Sequence, residues 1–210
     1  MLKIEHLSKK FKNHIVIDDI NIELDYGKIY GFIGANGSGK SVFFKLLCGF
    51  LKPNKGTVLF NGKQIGKDLD FIPDLGVLIE RPGFIENYNQ FQNLKYLASI
   101  RNKISDDEIK RYISLVGLDI NNKDKVKNFS LGMRQRLAIA QAIMEDQKII
   151  VLDEPFNGLD KKGRKEIKNL LITLKSKDRI ILLTSHIEGD IEELADSVYE
   201  FNNATLTQIF

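Results

Sequence analysis

A lysine at position 40, set between a glycine and a hydroxyl, lies near the end of the run Gly34-Ala35-Asn36-Gly37-Ser38-Gly39-Lys40-Ser41. Phosphate oxygens need several donors converging in a small space. Glycines let backbone N–H groups approach closely, and the positive end of a following helix adds to them. The flanks suit phosphate capture, since Ile29-Tyr30-Gly31-Phe32-Ile33 reads as a strand, and Val42, Phe43, Leu46, Leu47 and Phe50 mark a helix. Lys40 supplies a mobile charge for the β and γ phosphates of a nucleotide, and Ser41 a hydroxyl that Mg²⁺ can take as a ligand. A second constellation, Ile149-Ile150-Val151-Leu152-Asp153-Glu154, puts two carboxylates in succession at the end of a buried strand. Side chains alternate there, so the two have different roles. Asp153 would hold Mg²⁺, directly or through water. Glu154 is left to accept a proton from an attacking water, a general-base role that contributes roughly 10²–10⁴-fold. The alternative, an N-cap pair ahead of Pro155, is weakened by the phosphate loop upstream.

The elements that must position these groups follow from apolar periodicity. Residues 13–24 partly alternate apolar and polar side chains, as in a sheet with one wet face, and Asn61-Gly62 is a hairpin turn signal. Between about residues 87 and 145 the period becomes helical. Ser105 and Glu108 fit a capping box, Ile109, Tyr112, Ile113 and Val116 share one face, and Gly117 can end the helix. The short apolar runs Ile149 to Leu152 and Ile180 to Leu183 flank a helical stretch with Ile167, Leu170, Leu171 and Leu174, the pattern of buried parallel strands joined by a crossover helix. Two edge strands about an Asn202-Asn203 turn are expected at the C-terminus. One continuous domain over 1–210 results, with 1–86 and 146–210 as a nucleotide-binding core carrying a β subdomain and 87–145 as a helical lobe.

Composition narrows the class. At 210 residues the chain can bury about 70% of the surface that its unfolded form exposes, so it needs no disulfide or metal to hold a core. Lys+Arg 31 against Asp+Glu 28 leaves a formal charge of +3, and the basic residues are scattered, so no nucleic-acid surface is expected. Apolar runs fall far below the ~18 residues of a membrane span, and the N-terminus lacks the layout of a signal peptide, which places the chain in the cytoplasm. The lone Cys48 lies on the apolar side of the helix after the loop, where a structural role is expected.

Phe129-Ser130-Leu131-Gly132-Met133-Arg134-Gln135-Arg136 ends seventeen residues before Asp153 and resembles the signature motif of ATP-binding-cassette (ABC) ATPases. The resemblance covers essentially the whole chain. It implies an α/β P-loop NTPase with a RecA-like core, an N-terminal antiparallel β subdomain and a helical signature subdomain. It also implies that Phe11 stands where an aromatic stacks on adenine and that Glu80 occupies the glutamine-loop position, binding nucleotide and metal. Asn157-Gly158-Leu159-Asp160 matches the loop after the catalytic glutamate, and His186 the switch histidine that orients the attacking water. Phe11 is otherwise simply packed in the sheet. Ser130 is a good N-cap, so its hydroxyl and helix end can face an anion; in the family that anion is the γ-phosphate of ATP on the opposite subunit of a head-to-tail dimer, which Gly132 also meets.

Two departures accompany the match. Leu131 and Met133 replace a glycine and a glutamine of the commoner signature, and Glu80 replaces a glutamine. Both occur in a narrower branch: the Ile79-Glu80-Arg81-Pro82-Gly83-Phe84 run with Phe129 to Met133 resembles ATPases of bacitracin- and lantibiotic-type peptide resistance exporters. The implied protein is an ATP·Mg²⁺-hydrolysing subunit that powers a separate membrane permease and pairs with a second cassette, identical or related. It would be held at the inner face of the membrane through that permease. The permease contact is expected after Glu80, where Phe84, Ile85, Tyr88 and Phe91 offer apolar surface, unless they form the lobe's own core. Two other classes compete. A regulatory subunit without turnover is opposed by intact Lys40, Asp153, Glu154 and His186. A cassette acting on ribosomes or DNA would carry a tandem cassette or coiled-coil insertion.

Overall fold

The computed structural model describes residues 1–80, 82–186 and 188–210. Arg81, inside the run that marks the narrower branch, lies outside them. Four strands form an antiparallel sheet in the order β2-β1-β4-β5: β1 (Leu2–Phe11), β2 (His14–Leu24), β4 (Lys55–Phe60) and β5 (Lys63–Gln64). Asn61 and Gly62 join the last two with φ of 49° and 79°, the pair of left-handed residues that a two-residue hairpin demands.

The second sheet has the order β10-β9-β3-β8-β7-β6. It comprises β3 (Lys28–Ile33), β6 (Leu75–Leu78), β7 (Ile149–Leu152), β8 (Ile180–Thr184), β9 (Ser197–Asn202) and β10 (Thr205–Gln208). All are parallel except the edge strand β10. Its apolar runs are continuous because both faces are covered. Ile150, Leu152, Ile181 and Leu183 enter one core with the helices, while Ile149, Val151, Ile180 and Leu182 enter another beneath the first sheet.

Six helices flank this sheet among the described residues: α1 (Lys40–Leu47), α2 (Gln90–Arg101), α3 (Asp106–Leu115), α4 (Leu131–Ile143), α5 (Lys161–Leu174) and the short α6 (Glu188–Glu192). Ser105 and Glu108 close a reciprocal capping box on α3, and Gly117 follows it at φ 77°. A second box, Asn89 with Gln92, opens α2. Helix α4 lies so close to β6 that a Cβ on Gly76 would fall 1.8 Å from the Ala142 carbonyl oxygen, which requires glycine there.

Two expected boundaries shift. Helix α1 stops at Leu47, because Gly49 turns the chain at φ 81°; Phe50 is outside the helix, exposed, with its ring 5.9 Å from that of Phe71. The last hairpin turns on Asn203 and Ala204, one residue later than expected, where the Ala204 carbonyl takes the Asp18 N–H at 2.8 Å.

Candidate functional site

The chain leaves β3, in the middle of the large sheet, through a loop that only glycine can begin and end. Gly34 has φ 144° and a Cβ there would meet the Phe201 carbonyl oxygen at 2.8 Å; Gly39, at φ 111°, would meet that of Val16 at 2.9 Å. The Lys40 ammonium folds back to donate to the carbonyls of Gly34 at 2.6 Å and Ala35 at 3.0 Å, and the residue is only 6% exposed. Burial holds its pKa below the ordinary lysine value, against the opposing pull of Glu154 and Asp153. The Ser38 hydroxyl is buried with no hydrogen-bond partner among the described residues. A charge taken from water and an orphaned hydroxyl, the latter costing about 1–3 kcal/mol, mark a cradle shaped for an anion.

Across from Lys40, at the tip of β7, Asp153 accepts from Ser41 Oγ at 2.5 Å through one oxygen and from Thr184 Oγ1 at 2.7 Å through the other. The same Thr184 hydroxyl accepts the Glu154 N–H at 2.8 Å. One buried side chain therefore fixes both carboxylate residues. Glu154 adopts φ 51°, a left-handed conformation unfavourable for a residue with a Cβ. It is held there by that bond and by Gln135 of α4, whose side-chain nitrogen reaches the Glu154 carbonyl at 3.0 Å. Its carboxylate lies 2.7 Å from His186 Nδ1.

A cleft of about 350 Å³ opens between these groups, lined by Phe11, His14, Asn36, Gly37, Gly39, Lys40, Ser41, Asp153 and Glu154. Phe11 is 45% exposed at its rim with the Lys9 ammonium 5.2 Å from its ring, so it is not packed inside the sheet. His186 borders the adjoining hollow with Gly34, Ala35 and Asn36.

Other expected site residues stand apart. Glu80, at φ 61°, is ion-paired with Lys45 of α1. Asp160 caps α5, its carboxylate taking the Gly163 N–H at 2.8 Å. Ser130 caps α4 by accepting the Met133 N–H at 3.2 Å, and neither it nor Gly132 is among the residues lining the cleft of its own chain. Gly132 lies against the loop before α5, where a Cβ would be 2.9 Å from the Gly158 carbonyl oxygen, and the exposed Leu131 packs over Gly158. Of the apolar residues after Glu80, Ile85 and Tyr88 are each 39% exposed, while Phe84 and Phe91 pack against the core. Burial pushes the Cys48 thiol up to about 12, in keeping with an inert structural residue.

The phosphate-loop pattern and the acid pair identify the loop and Glu154, but Thr184, Lys45 and His14 carry no motif of their own, and Gln135, inside the Phe129 to Arg136 run, carries no sign there of its bond to the Glu154 carbonyl. A threonine ending an apolar strand is the available signal for the first; the others depend on packing between distant segments.

A sheet with its loop on the middle strand and its acids two strands along is that of the P-loop nucleoside triphosphatases. Among solved structures, the fold matches the dimeric structure of MJ0796, a bacterial ABC transporter cassette, with a TM-score of 0.87 at 19% identity, covering 100% of this chain and 99% of that one. The sequence profile described as "ABC transporter" matches residues 17–157. Over 206 residues the chain is 41% identical to the uncharacterized ABC transporter ATP-binding protein YybJ of Bacillus subtilis, covering 98% of this chain and 94% of that protein. It is 36% identical to the lantibiotic transport ATP-binding protein SrtF of Streptococcus pyogenes, covering 94% of this chain and 85% of that protein. It is 35% identical to the bacitracin transport ATP-binding protein BcrA of Enterococcus faecalis, covering 94% of this chain and 65% of that protein. The chain belongs to the ABC transporter family, as an ATP-binding and ATP-hydrolysing component.

Proposed function

We propose that this ATPase powers a separate membrane permease that exports peptide, lipid-like or drug-like cargo. The observation that carries its catalytic part is the placement of the Glu154 carboxylate, fixed by Thr184, Gln135 and His186 at the edge of the cleft that contains Lys40. Lys40 would release the loop carbonyls and turn to the β and γ phosphates, while the backbone N–H groups of residues 34–41 surround them. Phe11 offers a ring at the rim for the adenine. Glu154 accepts a proton from water as the water oxygen bonds to the γ phosphorus and the bond to the bridging β–γ oxygen breaks, leaving ADP and phosphate. His186 orients that water and hydrogen-bonds the γ-phosphate.

The hard oxygen donors Ser41 and Asp153, already converging, fit Mg²⁺, with Glu80 as a further carboxylate on a neighbouring loop. Mg²⁺ would neutralise charge on the phosphates. Two cassettes, identical or related, would meet head to tail, so that Ser130 and the N-terminus of α4 face the γ-phosphate bound by the other. Export of antimicrobial peptides is the reading that the SrtF and BcrA names favour. No described helix is long and apolar enough to cross a membrane, and a position at its cytoplasmic face would come from the permease. Glu154→Gln is expected to bind ATP and dimerise while hydrolysis falls roughly 10²–10⁴-fold. Normal turnover in that variant would remove Glu154 from its role.

A further inference from the structure

Outside the nucleotide cleft, a groove of about 700 Å³ separates α5 from α6, and a cluster of ion pairs crosses it. At its centre is Asp190 of α6, four residues beyond His186, with a side chain only 10% exposed. It takes Arg164 Nη1 at 3.0 Å and Lys168 Nζ at 2.9 Å, both from α5. Lys168 also reaches the exposed Glu193 at 2.6 Å. Arg164 does more than neutralise Asp190, because its Nε donates to the Leu159 carbonyl at 3.3 Å, in the loop that Asn157 begins and Asp160 ends. One guanidinium thus ties that loop to the element that follows His186.

Helix α6 spans only five residues, far too few to hold its own shape, so its position depends on what anchors it. One anchor is Ile191, fully buried and so close to β3 that a Cβ on Gly31 would fall 2.1 Å from its Cγ2. Asp190 is a second. An exposed pair such as Lys162 with Glu166 is nearly free to break, whereas removing one partner of a largely buried pair is costly. Upstream of His186 the chain is fixed by Thr184; the His186 ring itself is 46% exposed, with Glu154 as its described partner. Its placement therefore rests on Glu154, on β8 upstream and on α6, which begins two residues on.

We infer that Asp190 is a positioning residue for ATP hydrolysis: by clamping α6 to Arg164 and Lys168 it holds His186 in register with Glu154 and with the loop before α5. The inference rests on the reading of His186 as the group that meets the γ-phosphate. It is tested on the purified full chain with steady-state ATPase kinetics and ATP-binding affinity. Asp190→Asn is expected to lower kcat about tenfold, the order of loss that a misplaced catalytic group brings, with the KM for ATP changed less than twofold. The double variant with His186→Ala should be no slower than His186→Ala alone. Glu193→Gln, which leaves both cations on Asp190, should keep the wild-type kcat. Wild-type turnover in Asp190→Asn, independent multiplication of the two losses, or an equal loss in Glu193→Gln would overturn the inference. A His186→Ala variant with wild-type turnover would instead sink the reading of His186, and a slow Asp190→Asn beside it would refute the route through that ring. If Asp190→Asn fails to bind ATP, Arg164→Gln removes the same link and is read against His186→Ala in the same way. Loss of ATP binding there too would make the clamp a folding element and end the proposal.

Discussion

Thr184 decides more about the site than its chemistry announces. Fully buried, its hydroxyl donates to Asp153 and accepts from the Glu154 backbone, so one oxygen fixes the register of two carboxylate residues with different roles. Thr184→Val keeps the shape and removes both bonds, leaving a buried N–H without that partner and a carboxylate short of one. We expect a loss of about 1–3 kcal/mol in stability, read by thermal or denaturant unfolding. A fall in kcat of at least tenfold, larger than any change in ATP affinity, should accompany it. The loop from Gly34 to Ser41 and the pair Asp153-Glu154 are legible in the sequence because phosphate binding and proton transfer each demand particular residue types at fixed spacing. Thr184 has no such mark beyond its place just before Ser185 and His186. Its role needs β7 and β8 side by side, and adjacency of strands thirty residues apart is a tertiary fact. The same holds for Lys45, whose pairing with Glu80 joins α1 to the loop after β6.

Among the elements, the junction between β6 and α2 carries its own test. Asp74, just before β6, accepts from Arg101 at 2.6 Å and from Lys103 at 2.7 Å, which pins the end of α2 to the edge of the large sheet. These cations hold its carboxyl below the usual carboxylate range, Lys103 foremost. A carboxyl lowered on folding adds stability above its ordinary value near 3.8 and loses it as the pH falls through the lowered one. Asp74→Asn should therefore cost about 1 kcal/mol at neutral pH, a partly exposed pair being worth no more, and the gap from wild type should close as the medium is acidified. A gap independent of pH would assign the loss to packing. The elements themselves are largely readable. Ser105 and Glu108 announce α3, and the β-branched runs announce β7 and β8, because caps and two-sided burial leave local marks. The end of α1 is overrun, since Phe50 continues the apolar spacing and Gly49 stops the helix through a close approach: a Cβ there would meet the Asp70 carbonyl oxygen at 2.9 Å.

For the whole molecule, the division of the four apolar residues after Glu80 predicts where a permease would touch. Phe84 and Phe91 are partly buried against the core, whereas Ile85 and Tyr88 are the more exposed pair. Tyr88→Glu should leave ATPase activity of the purified chain within about twofold while uncoupling it from transport in reconstituted vesicles, as expected of an exposed contact. Loss of both would assign Tyr88 to folding. The order of the large sheet has a different consequence, in time. Strand β3 is made early, but its partners arrive late: Lys28 pairs with Ile180, and Tyr30 with Ser197. While the first sheet can close once β5 has been synthesised, the strand that leads into the phosphate loop has no hydrogen-bonded partner until β8 has left the ribosome. Such long-range parallel pairing is intrinsically slow. In the interval the hydrogen-bonding edges of β3 and β7 that later receive β8 stand unpaired, so the nascent chain is at its most prone to aggregate just before Ile180 to Thr184 emerge.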